Sequence, residues 1–267
     1  MQDLAHYLGL VRKTAPLIFQ ITNYVTVNDC ANMTICIGAS PVMAHFPEDA
    51  VELTQKSDAL VLNIGTPDDV QITVMKLCAN EAKKSGIPVI LDPVGAGATE
   101  YRTKCAMELL PYASVIKGNA GEIAVLAGFT SKMKGVDCES VSGDAASFAK
   151  ELAKKTGAVV IVSGKEDIIT DGTRTAGIFN GVELMSRVSG TGCMASSAVA
   201  AFCAPVCKNR RDELFNACIA AMAYAGIAGE TAAKTARGPG TFKPAFFDAA
   251  AGLTEDDFAQ ANIREYP

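Results

Sequence analysis

Short apolar runs rich in valine and isoleucine alternate with longer amphipathic stretches along the chain. That alternation predicts a parallel sheet covered by helices. Strands are expected at 17–21 (LIFQI), 59–64 (ALVLNI), 88–91 (PVIL), 114–117 (SVIK) and 158–162 (AVVIV). Helices are expected over 3–13, 26–37, 67–85, 100–110, 120–127 and 142–156. Residues 168–189 read as short β pieces broken by Asp171-Gly172 and Asn180-Gly181. Such dipeptides favour hairpin turns, which predicts an antiparallel edge. From Thr191 onward the pattern is mostly helical, over 191–205, 210–236 and 241–252, with Gly238-Pro239-Gly240 punctuating the last pair. No repeat or low-complexity linker interrupts the 267 residues, so one domain over 1–267 is expected. The fold class is α/β, with a mostly parallel central sheet and helices on both faces.

Composition narrows the function classes. Hydrophobic residues make up 49% of the chain, ample for a large core, and the net charge is −5. No basic run or basic–aromatic interleaving is present, which argues against nucleic acid as a partner. No apolar run reaches the length of a membrane span; the nearest approach, Ala217 to Ala233, is interrupted by Glu230. The nine cysteines form no C-x-x-C pair, and with only two histidines a zinc site of familiar spacing is not expected. Irregularly spaced thiols and an N-terminus without a signal-like apolar core suggest reduced cysteines in the cytoplasm.

Ligands of open α/β sheets bind where strands end and helices begin. Each of the five expected strands ends in polar and turn-forming residues: Thr22-Asn23, Asn63-Ile64-Gly65-Thr66, Asp92-Pro93-Val94-Gly95, Lys117-Gly118-Asn119 and Ser163-Gly164-Lys165. The stretch RVSGTGCMASSAVAAF (187–202) places Gly190, Thr191 and Gly192 before Cys193 and a run of small residues. Glycines let the backbone approach a ligand closely, and the helix behind them presents unpaired N–H groups and a positive dipole end. That is an anion seat, best suited to phosphate, with a potential base or nucleophile beside it. Cys193 would equally fill a tight helix–sheet contact. Asp92 and Glu122 point to the same rim and suit Mg²⁺, which uses one or two carboxylates plus substrate phosphates. Each also has an ordinary reading, a turn-starting Asp before Pro and a Glu in a first helical turn. Lys117 could neutralise phosphate charge or lie solvated at the surface. The set supplies what phosphoryl transfer needs: aligned phosphates, Mg²⁺, positive charge and a group for the acceptor hydroxyl. No GxxxxGK[ST] loop is present, so a P-loop site is excluded, and no GxGxxG match supports a dehydrogenase.

Several blocks in order carry a family resemblance: PLIFQITNYVTVNDCAN (16–32), IGASPVMAH (37–45), SDALVLNIGT (57–66), PVILDPVGAGAT (88–99), VIKGNAGEI (115–123), VSGTGC (188–193) and GPGTF (238–242). The chain resembles, essentially end to end, the hydroxyethylthiazole kinases of thiamine salvage, which belong to the ribokinase-like superfamily. The resemblance implies transfer of the γ-phosphate of ATP to the primary hydroxyl of 4-methyl-5-(2-hydroxyethyl)thiazole. It assigns Cys193 as the base, standing where most ribokinase-like enzymes carry an aspartate. Asn23, Met43 and Gly190 become thiazole contacts. Lys117, Asn119, Ser163, Thr191 and Gly192 face ATP, and Asp92 and Glu122 join the Mg²⁺ network. It further implies a homotrimer with active sites at subunit interfaces, where Asn23 and Met43 would face Cys193 of a neighbour. Phe19-Gln20 departs from the histidine often found before ITN in the family, and Gly121 from a common serine. The alternatives are a hydroxymethylpyrimidine-type kinase and a non-catalytic thiazole or nucleotide sensor on the same scaffold. Covalent catalysis by Cys193 would want a histidine nearby, and His6 and His45 lie far off in sequence.

Overall fold

The computed structural model describes residues 4–129, 138–207 and 213–266. Its sheet has nine strands in the order β2-β1-β3-β4-β5-β6-β7-β8-β9. These are β1 (Leu17–Ile21), β2 (Ser40–Val42), β3 (Ala59–Asn63), β4 (Val89–Asp92), β5 (Val115–Asn119), β6 (Val159–Ser163), β7 (Asp167–Thr170), β8 (Thr175–Ile178) and β9 (Ile263–Tyr266). The first six run parallel, and β7, β8 and β9 add on as an antiparallel edge. The helices are α1 (Ala5–Thr14), α2 (Val27–Ile37), α3 (Pro47–Lys56), α4 (Asp69–Ser85), α5 (Glu100–Leu109), α6 (Ala120–Ala127), α7 (Cys138–Thr156), α8 (Thr191–Cys207), α9 (Leu214–Ala233) and α10 (Pro239–Gly252).

Strand residues alternate between the two faces, as the period of 2 requires. Ile18, Val61, Ile90, Val115 and Ile161 join a core built with α1, α2, α8, α9 and α10. Phe19, Leu60, Leu62, Leu91, Ile116 and Val160 join a second core with α3 to α7. Both faces of the central strands are therefore buried, which explains their continuous Val/Ile/Leu runs. Helix boundaries follow local signals. Asp68 caps α4 by accepting from the Gln71 amide at 2.7 Å, and Gly86 ends it with φ of +70°.

The expected central strands and the helices between them are present. Three elements depart from the sequence pattern. The edge strand β2 is three residues long and contains Pro41. Helix α3 buries only Ala50 and Thr54, too sparse an apolar stripe to register as a period. Asn180-Gly181 makes no hairpin. Instead the Asn180 side chain donates to Gln260 C=O at 3.0 Å and accepts from the Asn262 amide at 2.7 Å. Those long-range bonds bring the C-terminal segment alongside β8 as strand β9, overriding the local turn preference. Residue 3 of the expected helix 3–13 and residues 210–212 of the expected helix 210–236 lie outside the described residues.

Candidate active site

Strand parity decides which polar ends can meet. Val61, Ile90, Val115 and Ile161 face α8 and α9, so Asn63, Asp92, Lys117 and Ser163, two residues on, share that face at the carboxyl ends of their strands. Gln20 shares it through Ile18. Four of the five touch α8. Gln20 accepts from Ser197 Oγ at 2.8 Å, Asn63 donates to Cys193 Sγ at 3.3 Å, Asp92 accepts from Ser196 Oγ at 2.7 Å, and Lys117 Nζ donates to Gly192 C=O at 3.0 Å. Lys117 is thus a buried cation under the turn rather than a solvated surface lysine. Gln20 also donates to Thr34 Oγ1 at 2.8 Å and so clamps α8 to α2 behind Cys193.

The N-terminus of α8 is open. Its first bond runs from the Met194 amide to Gly190 C=O at 2.8 Å, leaving the amides of Thr191, Gly192 and Cys193 without helical partners. Gly190 takes φ of +95°, and a Cβ there would lie 2.7 Å from Thr26 Cγ2. Only glycine meets both demands. The Thr191 hydroxyl donates back to Met185 C=O at 3.0 Å, so what Thr191 offers an anion is its amide.

Cys193 Sγ receives two amide donors, Asn63 Nδ2 at 3.3 Å and Asn23 Nδ2 at 3.4 Å. Asn23 Nδ2 also donates to Asn63 Oδ1 at 2.9 Å, and Asn63 Nδ2 to Asp92 Oδ2 at 2.8 Å. Asn23 and Cys193 therefore meet within one chain, which corrects the expectation that Asn23 faces Cys193 of a neighbouring subunit. Asn23 Oδ1 accepts from the amides of Val25 and Thr26, so the turn after β1 fixes its orientation. The sequence marks Asn63 only as one polar strand end among five and Ser196 only as part of the small-residue run, with no role for either. Asn63 stands at a strand end in register with Asp92. Ser196 follows Cys193 by three residues, on the same side of α8.

The carboxylates occupy two settings. Asp92 is buried, and burial raises its carboxyl above the usual range against the pull of Lys117, Ser196 and Asn63. Glu122 reaches back to the Asn119 amide at 2.9 Å while Asn119 Oδ1 accepts from the Glu122 amide, a capping box that starts α6. Its other oxygen accepts from the Gly95 amide at 2.8 Å, pinning the loop after β4. Burial raises this carboxyl too, opposed by those amides. Among the described residues no three ligating side chains converge on one point to enclose a metal ion. Asp92 and Glu122 suit instead an ion carried in by phosphates, which takes one or two carboxylates directly or through water. Asn119 lies in register with Ser163, whose hydroxyl donates to Gly118 C=O at 3.3 Å. Met43 follows edge strand β2, half-buried, with no hydrogen bond or ring contact tying it to the Cys193 cluster.

Asp167, opposite the Gly164 turn, is a further carboxylate near Lys117. Burial pushes it up to about 6, opposed by the Gly164 amide and Lys117 and reinforced by Glu166. The folded value lies above the ordinary 3.8, so the folded state keeps a proton that the unfolded chain has lost. Stability therefore falls as pH rises from about 4 to about 6, and the loss persists above that window. Asp167→Asn is expected to remove this slope. In urea unfolding it should match the parent near pH 3.5 and exceed it by about 3 kcal/mol above pH 6.

Solved structures share this architecture. A pyridoxal kinase from Staphylococcus aureus in complex with AMP-PCP and pyridoxal superimposes with a TM-score of 0.63 at 15% identity, covering 94% of this chain and 98% of that one. At that identity the likeness defines the architecture alone, the ribokinase-like α/β fold. The hydroxyethylthiazole kinase protein of Pyrococcus horikoshii OT3 superimposes with a TM-score of 0.91 at 37% identity, covering all of both chains. The hydroxyethylthiazole kinase of Methanocorpusculum labreanum is 59% identical over 270 residues, again the full length of both. The sequence model of the hydroxyethylthiazole kinase family matches residues 8–256, and the chain belongs to that family.

Proposed function

We propose that the protein transfers the γ-phosphoryl group of ATP to the primary hydroxyl of 4-methyl-5-(2-hydroxyethyl)thiazole, working as one kinase domain in thiamine salvage. The observation that carries this reading is the linear order of the rim. Across the sheet stand Met43, Asn23, Asn63, Asp92, Lys117 with Asn119, and Ser163, at or just beyond the carboxyl ends of neighbouring strands β2-β1-β3-β4-β5-β6. At about 4.8 Å per strand, Asn23 and Ser163 stand roughly 19 Å apart, long enough for a nucleotide and a small acceptor end to end. The open α8 amides and Cys193 overhang the middle.

In this reading Asn23, Met43 and Gly190 shape the thiazole end, and a thioether packs well against a flat heteroaromatic ring. Asn119 and Ser163 contact the nucleotide. The amides of Thr191, Gly192 and Cys193, with Lys117 beneath them, hold the γ-phosphoryl oxygens as negative charge shifts among them. Mg²⁺ bound with the nucleotide, near Asp92 and Glu122, supplies further positive charge. The acceptor hydroxyl oxygen bonds to the γ-phosphorus, the bond to the β–γ bridging oxygen breaks, and ADP leaves. Cys193 Sγ positions the hydroxyl and, when it stands as the thiolate, takes its proton to become the thiol.

Assembly as a homotrimer is part of the same proposal. Tyr24, Val25, Phe46 and Val70 are large apolar side chains, each more than 60% exposed. Tyr24 and Val70 line one cleft with His45, beside the thiazole end. Phe46→Glu with Val70→Glu is expected to lower the oligomeric state, read by light scattering after size exclusion. Among the described residues no helix is long and apolar enough to cross a membrane, and the proposed setting is the cytoplasm.

ADP release with Mg²⁺-ATP tests the reading. Release that depends on hydroxyethylthiazole supports it. Release with a hydroxymethylpyrimidine alone would move the acceptor to another branch of the pathway. Heat stabilisation by the thiazole with no ADP release would replace the kinase by a sensor.

A further inference from the structure

We propose that Asn63 is a positioning residue for the phosphoryl transfer, setting where the Cys193 sulfur stands and which side of it is open to the acceptor; this rests on the assignment of Cys193 to that reaction. Asn63 is 1% exposed and uses its whole hydrogen-bonding capacity. Oδ1 accepts from the Gly65 amide at 2.9 Å and from Asn23 Nδ2 at 2.9 Å. Nδ2 donates to Asp92 Oδ2 at 2.8 Å and to Cys193 Sγ at 3.3 Å.

The orientation of this amide is not arbitrary. A backbone N–H can only donate, so the Gly65 amide fixes which end of Asn63 is oxygen, and the NH₂ end must face the sulfur and the carboxylate. The same logic applies at Asn23, where the Val25 and Thr26 amides hold Oδ1 and turn Nδ2 toward Sγ. Sγ is therefore held as an acceptor from two directions. A proton on sulfur, whether its own or one taken from the acceptor hydroxyl, lies away from both amides. Asn63 also ties this geometry to the rigid end of β3 and, through Asp92, to Ser196 one turn along α8. No other residue type fits the four partners. Aspartate lacks both donors, serine is too short to span them, and glutamine carries an extra methylene at a site with no exposure to absorb it.

A double-mutant cycle between Asn63 and Cys193 tests the proposal. Asn63→Ala is expected to lower kcat about tenfold while the KM values for ATP and hydroxyethylthiazole stay within about twofold. In the Cys193→Ala background the same change should alter kcat by less than about twofold, because the residue it acts through is gone. Asn63→Asp keeps the acceptor for Gly65 and Asn23 but loses both donors, and should reproduce the loss in kcat. Equal fold losses in both backgrounds, or loss confined to KM, would overturn the proposal. The same four proteins are compared by urea midpoint, which needs no activity. The shifts of the two single variants should sum to more than the shift of the double, and simple additivity would show that the contact carries nothing. Parent protein without thiazole-dependent turnover would remove the kinase reading, and with it the positioning role, while the midpoints alone would still report whether Asn63 holds Cys193.

Discussion

Lys117→Ala is expected to lower kcat/KM for ATP by about two to three orders of magnitude, the cost of removing one preorganised donor from a site of developing negative charge. The lysine is 2% exposed, and its ammonium supports Gly192 C=O from below at 3.0 Å. It therefore supports the turn that opens α8 and, in the proposed reading, supplies the charge of the anion seat there. Its charge also pulls down the carboxyls of Asp92, Glu122 and Asp167, each of which burial pushes up. Removing it leaves those groups without their shared cation, so a loss of about 3 kcal/mol in unfolding free energy is expected as well. Steady-state kinetics with varied ATP, alongside urea unfolding, separate the two effects. A variant with parental kcat/KM would show that phosphate is held elsewhere.

Cys193→Ala should lower kcat by about one to two orders of magnitude while the KM for ATP stays within about threefold. General-base assistance is worth about 10²–10⁴-fold in many enzymes, but a loose phosphoryl transition state asks less of a base. The lower part of that range is therefore expected. The α8 amides and Lys117 remain in place in this variant, so nucleotide binding should survive. Unchanged kcat would remove Cys193 from the reaction and leave it as a packing residue at the helix–sheet contact.

Much of this site could be read from the chain because a parallel sheet sends every strand end to one rim. Once LVLN, VILD and VIKGN are recognised as strands, Asn63, Asp92 and Lys117 follow as neighbours. Gly190 before the small-residue run likewise marks the open end of α8. What stayed hidden depends on long-range geometry. The role of Asn63 arises from four partners, three of which lie on β1, β4 and α8 or the turns beside them. Ser196 looks like one more small residue in a helix until Asp92 is placed beneath it. The antiparallel edge was expected from Asp171-Gly172, which does turn β7 into β8. Strand β9 could not be read, because long-range contacts, the Asn180 side chain and the Phe179 amide with residues 260–262 and the ladder with β8, bring residues 263–266 to that edge. Asn23 was expected to reach a neighbour's Cys193, yet the turn after β1 aims it at Cys193 of the same chain.

The most direct test follows the γ-phosphoryl group itself. The protein would be incubated with γ-³²P-labelled ATP, Mg²⁺ and hydroxyethylthiazole, and the products separated by chromatography. The expected result is label in a thiazole phosphate ester, in amounts equal to the ADP formed. Label appearing only as inorganic phosphate, or remaining entirely in ATP, would contradict the account.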